Sequence, residues 1–591
     1  MASGPRGTAW VLALLAAFLF VSYWQALSLV FISDDYAILD KTQHASFTQL
    51  WAPDRLLFNW YRPVSRELHY WALQRAFGVH ELPFHLASFA LWLAGMTLFF
   101  TFARRLAGAR AAALATAAVA TLASWAGPLF WVAGVQELWF FLFALLFLHA
   151  FARRRGAASA LLLALALLSK EPAGVLAPLA FLWALRVDRE RPGKALARVA
   201  PLLAITAAWA VLHPRLIGRL WGPYTQSIET ETRPPLPVIA LKAVLALVSL
   251  DEMPAPESGL RQALLRGLPG AIALAGIVAL GLWADRQARP RGARRVAEDP
   301  GRTTSSGITT FAIGWGILGS IAVLMPSINW HAYYGLFGAF GVWLAIMYGL
   351  RHRPAFAVAI IAVLTVLRPL RADTPSWDWA SEAYQRRAGY FLRTLRDDLL
   401  RKHPDVPAHS RFYFAQVPRN IGWVAGDGPA LRVWYRDSTL TGGYYSYYRP
   451  RRPDQAPGPD YFLRFDSSGT WVEVAKGEEN VRTARARNRG WEQDHRELAL
   501  LLGGAGDWNG AAEELVKLAD ESPENFEYPL NAAVCYEKLG DSLVAARLFV
   551  RAAALPGASP EAKAAAESHQ RFLQAPAPEK KKNGKTHPVR R

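Results

Sequence analysis

From Trp10 to about residue 370 the chain alternates between apolar runs and short arginine clusters, and this pattern limits the possible folds more than any other feature. The first run, Trp10 to Phe31, is long enough to cross a hydrocarbon layer about 30 Å thick. Further runs lie at roughly 84–103, 111–127, 129–151, 157–169, 172–185, 196–213, 267–284, 307–325, 332–349 and 354–370, so eleven spans are expected. The 591 residues are 52% hydrophobic and include 23 tryptophans, a composition suited to a bilayer and its interfaces. The net charge of +19 resides largely in the arginine clusters between runs, which encodes topology and argues against nucleic-acid binding. The single Cys535 excludes an internal disulfide and a cysteine metal cluster.

Arginines 104, 105 and 110, arginines 153–155, the basic residues from Arg186 to Arg198, six arginines from Arg286 to Arg302, and Arg351 with Arg353 form the connections. All fall on one side if the amino terminus is cytoplasmic and the 236–250 run does not cross. Its length, Lys242 and the prolines at 234, 235 and 237 suit an interfacial or re-entrant helix. This parity puts Asp34, Asp35, Arg62, the turn Ser169–Pro172 and everything after Arg371 on the outer face. The first run lacks a small-residue cleavage site and reads as an uncleaved span.

Beyond residue 370 the sequence becomes polar. Residues 371–490 read as a soluble α/β module, with a helix around 377–402, a strand at 411–417, a helix at 429–435 and a hairpin at 461–474. Residues 491–575 contain a repeat. Ala499, Leu502, Gly506, Ala511 and Leu515 return 34 positions later as Ala533, Tyr536, Gly540, Ala545 and Phe549. That period and its glycine turns match the tetratricopeptide repeat, a short α-solenoid suited to holding a protein partner, closed by a helix at 561–573. The basic tail 576–591 reads as disordered.

Two stretches carry candidate chemistry. Asp34 and Asp35 follow the first span, where partial desolvation can tune a carboxylate to take a proton from a hydroxyl. Ser169-Lys170-Glu171-Pro172 follows a run whose thirteen residues reach only about 20 Å as a helix, so its charges should lie recessed. Buried charges there must pair or hold a charged ligand such as a lipid phosphate. Glu137, inside an apolar run, faces the same requirement.

Taken in order, these landmarks resemble the C-type polytopic membrane glycosyltransferases, most closely the tetratricopeptide-containing transmembrane O-mannosyltransferases. The acidic pair, Tyr61-Arg62-Pro63-Val64, Pro83-Phe84-His85-Leu86 and Ser169-Lys170-Glu171 carry the resemblance, which covers about residues 9–370 and the repeats. Trp131 to Leu138, with Glu137, and Asn329 to Gly335, with His331 and Tyr334, are looser matches. Ala87-Ser88-Phe89 departs from the family's more polar second span.

The resemblance implies a 1–370 transferase domain using a polyprenyl-phosphate sugar as co-substrate, without a metal or other cofactor. Asp34 would act as general base with Asp35 beside it, and Lys170 and Arg62 would hold the phosphate. Glu171, Glu137, His85, His331 and Tyr334 would line the cavity, and a single displacement would invert the anomeric centre. The acceptor would be a protein, lipid or glycan hydroxyl outside a bacterial inner membrane, with the C-terminal domains periplasmic. A lipid-sugar flippase and a non-catalytic scaffold using its repeats remain alternatives.

Overall fold

The computed structural model describes residues 5–574, except 54–55, 59, 214–234, nearly all of 251–303, 325–329, 373–379, 416–423, 427, 445–450, 453, 466–469, 474–494, 497–498, 501 and 505. Contacts divide the chain into two units. The first comprises Met1–Ser227, Thr232–Ala408 and Trp423–Leu440, and the second His409–Gly422 and Thr441–Arg591 with the short piece Ile228–Glu231.

The first unit opens with α1 (Pro5–Tyr23), α2 (Asp34–Gln43), α3 (His69–Phe77), α4 (Glu81–Ala107), α5 (Ala109–Ala120), α6 (Ala126–Phe130) and α7 (Val135–Ala152). It continues with α8 (Gly156–Leu167), α9 (Leu176–Arg186), α10 (Pro192–Leu212), α11 (Leu236–Ala246), α12 (Ser305–Ser320), α13 (Leu336–Gly349) and α14 (Pro354–Ala372). Two polar helices, α15 (Glu382–Lys402) and α16 (Pro429–Tyr435), complete it.

Among the described residues, seven helical segments are long and apolar enough to cross a membrane: Thr8–Ser28, Glu81–Ala107, Val132–Ala152, Pro192–Leu212, Ser305–Leu324, Ala332–His352 and Pro354–Arg371. The bent pair Ala109–Ala120 and Ala123–Phe130, which turns by 62°, makes an eighth if it forms one span. The chain is an integral membrane protein on this count. Among the described residues these segments account for eight of the eleven expected spans, and two of the other three are too short. The 157–169 and 172–185 runs become α8 and α9, helices of 12 and 11 residues that rise only about 16–18 Å. Most of the 267–284 run lies outside the described residues, and the 236–250 run, which was not counted among the eleven, becomes α11, also 11 residues.

The core of this unit is aromatic. Trp92, Trp125 and Trp315 are fully buried, and Phe99, Phe340, Phe141 and Phe337 pack edge-on or offset around them. Such pairs add about 0.5–1.5 kcal/mol each beyond their area.

The division expected at residue 371 does not coincide with the contacts, because α15 and α16 belong to the first unit. The reason lies in α16, which docks on α2. Trp434 Nε1 donates to Tyr36 Oη at 3.0 Å, Arg432 pairs with Asp40 at 2.8 Å, and Gln43 Nε2 donates to the Arg432 carbonyl at 3.4 Å.

The second unit contains a four-stranded sheet of order β2-β1-β3-β4, formed by β1 (Arg411–Ala415), β2 (Thr441–Tyr444), β3 (Asp460–Phe465) and β4 (Trp471–Glu473). β1 runs parallel to both neighbours, and β3 and β4 are antiparallel. Phe412, Phe414, Leu463 and Trp471 are buried.

Helices α17 (Trp508–Glu521), α18 (Glu527–Lys538), α19 (Ser542–Ala553) and α20 (Pro560–Gln574) follow, each packed on the next. Gly506 and Gly540 both take positive φ, at 81° and 80°, directly before the capping residues Asp507 and Asp541. Equivalent repeat positions are buried in successive clusters, Ala499, Ala511 and Leu515 in one and Ala533, Ala545 and Phe549 in the next.

Candidate functional site

The acidic pair begins α2, where unpaired N–H groups and the helix dipole favour negative charge. Ser33, the residue before it, is held at φ 47°, a strained value for a side chain larger than hydrogen. Asp35 is fully buried. Its Oδ1 accepts from the Tyr70 hydroxyl at 2.7 Å and the Ala133 N–H at 2.8 Å, and its Oδ2 accepts from the Ile32 N–H at 2.9 Å. The Ala133 turn can approach because Gly134 follows it; a Cβ there would stand 2.7 Å from the Gly127 carbonyl oxygen and from Pro128 Cα.

Asp34 is bonded differently. It keeps some access to solvent although protein surrounds it, and among the described residues its one hydrogen-bond partner is the Ser33 hydroxyl at 3.5 Å. Burial raises its carboxyl to about 6, against the pull of Arg66 and Arg62. Burial raises Asp35 to about 7, opposed by its three donors and reinforced by Asp34.

A wide helical turn, Pro63–Leu68, presents the basic groups. It is tied to the recessed Lys170 turn by the Ser65 hydroxyl, which donates to the Ser169 carbonyl at 2.6 Å, and by the Val64 N–H, which donates to the Leu168 carbonyl at 3.3 Å. Arg62 therefore meets Glu171 in a two-pronged pair, with Nε 2.9 Å from Oε1 and Nη2 2.6 Å from Oε2. Its Nη1 donates to Gln136 Oε1 at 2.9 Å, and Trp60 lies against the guanidinium, 5.1 Å from ring centroid to Cζ. Lys170 pairs with Glu137. Its ammonium also stands 5.2 Å from the Tyr333 ring centroid and 4.9 Å from that of Tyr334.

The structure thus brings Arg62, Lys170, Glu137, Glu171 and Tyr334 into one cluster, and His331 joins its aromatic wall by stacking on Tyr333 at 5.5 Å. Asp34 and Lys170 both lie within electrostatic reach of Arg62. His85 has another place, with Nε2 3.2 Å from the Leu29 carbonyl on the segment leading out of α1. Sequence reasoning missed Gln136, Tyr333 and the Arg66–Glu67–Lys41 chain, in which Glu67 Oε1 accepts from Arg66 at 2.6 Å and Lys41 at 2.8 Å. Gln136 adjoins Glu137, and Arg66 follows Arg62 by one helical turn; those spacings were the available signals.

The two cations expected to be open to a phosphate are already paired. Arg62 and Lys170 against Glu137 and Glu171 sum to no net charge, so an anionic ligand must share or displace a carboxylate. Lys170 is the more adaptable of the two, because an ammonium has three donors that can rotate, whereas Arg62 is fixed in a planar fork. Among the described residues, no group of three or more His, Cys, Asp or Glu is placed to hold a metal ion.

No protein-family model matches this chain, and no curated protein matches it. Among solved structures, the crystal structure of ArnT from Cupriavidus metallidurans bound to undecaprenyl phosphate is similar with a TM-score of 0.40 and 16% identity, over 78% of this chain and 94% of that one. The same protein in its apo state gives a TM-score of 0.38 and 19% identity, over 74% and 86% of the two chains. At these scores the likeness does not by itself fix a common fold.

Proposed function

We propose that the first unit is a C-type membrane glycosyltransferase that moves a sugar from a polyprenyl-phosphate donor to an acceptor hydroxyl, with Asp34 as general base. The observation that carries this reading is the buried pair Lys170–Glu137 beside the partly buried pair Arg62–Glu171, within reach of a carboxylate that burial raises to about 6. Buried charges in membrane proteins are costly and mark functional sites. A base titrating near neutral pH balances being ionised against the drive to take a proton.

In the reaction, the donor phosphate shares Lys170 with Glu137, and Arg62, locked by Glu171 and Gln136, adds positive potential beside it. The Asp34 carboxylate takes the proton of the acceptor hydroxyl as its oxygen bonds to the anomeric carbon. The bond from that carbon to the phosphate oxygen breaks, its electron pair stays on the phosphate, and the configuration inverts. The two cations stabilise the growing charge on the leaving phosphate. Asp35, saturated by three donors, holds the start of α2 and takes no proton from the acceptor. The helical repeats of the second unit suit a protein partner, in keeping with the resemblance to O-mannosyltransferases that carry such repeats.

The test is transfer of radiolabelled sugar from polyprenyl-phosphate donors by purified protein. Asp34→Asn and Lys170→Ala/Glu137→Gln, which leaves no unpaired buried charge, should each abolish product while the protein stays monodisperse, and full activity in either variant refutes the mechanism. Movement of donor across sealed vesicles without product would favour the flippase reading.

A further inference from the structure

One glutamine joins the two halves of the charged site. Gln136 lies in the first turn of α7 and is 7% exposed, and both ends of its amide are engaged. Its Oε1 accepts from Arg62 Nη1 at 2.9 Å, and its Nε2 donates to the Ala133 carbonyl at 2.9 Å. These partners fix the orientation of the amide. A guanidinium only donates and a carbonyl only accepts, so the flipped amide would lose both bonds.

Ala133 is also the residue whose N–H donates to Asp35 Oδ1 at 2.8 Å. A continuous path of hydrogen bonds therefore runs from Glu171 through Arg62, Gln136 and Ala133 to Asp35, the chain neighbour of Asp34. Glu137, next along α7, holds Lys170. Residues 133–137 thus touch the acidic pair and both cations from a single turn, although Asp35, Arg62 and Lys170 come from three separate stretches of sequence.

Other links between these parts are less direct. Lys41 donates to Glu67 at 2.8 Å and so joins α2 to the wide turn after Arg62, but Lys41 is about 10 Å along the helix from Asp34, and its side chain is long and flexible. The Ser65 bond to the Ser169 carbonyl joins the wide turn to the Lys170 turn without involving α2. The path through Gln136 reaches the first turn of α2 itself. A single displacement needs the base and the departing phosphate at a set spacing about the anomeric carbon, and a misplacement of about 1 Å can cost about a hundredfold in rate.

We propose that Gln136 is a positioning residue, which sets the spacing between the phosphate-holding cations and the acidic pair by bonding Arg62 to the turn that holds Asp35. Its effect on rate rests on the transfer reaction proposed above; the linkage it makes does not.

The experiment compares the full-length wild type with Gln136→Met, which keeps the volume and loses both bonds, and Gln136→Asn, which keeps an amide but is one methylene too short to reach both partners. With a labelled polyprenyl-phosphate donor, Gln136→Met should lower kcat about a hundredfold while KM for the donor changes less than about threefold, because Arg62 keeps Glu171 and Lys170 keeps Glu137. Gln136→Asn should lose kcat in the same way. A role in packing alone would lower Tm and leave the kcat of folded protein unchanged, so wild-type kcat in either variant overturns the proposal. A second measurement needs no activity. The melting shifts caused by Arg62→Met/Glu171→Leu and by Asp35→Asn should be non-additive when Gln136 is present and additive in Gln136→Met, and additivity in both backgrounds overturns the linkage. A wild type that transfers no sugar but shows the non-additive shifts would refute the reaction and leave the linkage supported.

Discussion

The two neighbouring aspartates should respond in opposite ways to substitution. Removing the Asp35 carboxyl with Asp35→Ala strands three buried donors, the Ile32 and Ala133 N–H groups and the Tyr70 hydroxyl. At about 1–3 kcal/mol for each unmet donor the cost is on the order of 3–9 kcal/mol, less whatever is recovered by no longer burying a carboxylate. Asp34→Asn should cost under about 0.5 kcal/mol, because its Ser33 contact at 3.5 Å is at the limit of a hydrogen bond. Activity should follow the reverse order, with Asp34→Asn losing at least about a hundredfold of sugar transfer, the typical share of a general base. Thermal loss of the monodisperse peak in detergent, measured beside transfer from a labelled polyprenyl-phosphate donor, reads both effects. If Asp34→Asn melts as early as Asp35→Ala, or if Asp35→Ala melts with the wild type, the division of labour drawn from the hydrogen bonds is wrong.

Three further outcomes follow from the same geometry. Both aspartates are raised by burial above their unfolded values, so their contribution to stability is full below about pH 4 and lost as pH rises through about 6 and 7. Wild-type protein should therefore melt higher at pH 5 than at pH 8, with the difference shrinking in Asp34→Asn/Asp35→Asn, while transfer activity rises through about pH 6 as Asp34 ionises. Glu137→Gln should free Lys170 and tighten binding of undecaprenyl phosphate by about tenfold; binding as weak as in wild type would mean the ammonium does not meet the phosphate. Arg62→Ala leaves Glu171 buried without its partner and should cost about 3–5 kcal/mol, much of it recovered in Arg62→Met/Glu171→Leu, as melting of the three proteins would show.

The charged residues of the site were legible because they interrupt apolar sequence, where a charge is expensive enough to need a purpose. Their partners were not. Glu171 lies 109 residues from Arg62 and Lys170 lies 33 from Glu137, and no local spacing announces a pair formed across packed helices. Both cations therefore read as open to phosphate when each already holds a carboxylate. His85, inside a family-like tetrapeptide, also has a partner that spacing did not announce, the Leu29 carbonyl 56 residues away. Hydropathy located the long spans and the Ser169–Pro172 turn, but not the break at 121–125, and it counted as spans the flanking 157–169 and 172–185 runs, whose helices are too short to cross. The polar shift at residue 371 reported a change of solvent. It did not report that Trp434 and Arg432 dock on α2.

That docking has a consequence for how the protein is made. The helix that starts with Asp34 leaves the ribosome early, but the segment that braces it at Tyr36 and Asp40 is nearly four hundred residues further along. At about 5–20 residues per second, α2 waits roughly twenty to eighty seconds for its brace. Until then Tyr36 and Asp40 lack those partners, so a nascent or truncated chain ending near residue 370 would present the acidic pair on an unsupported helix.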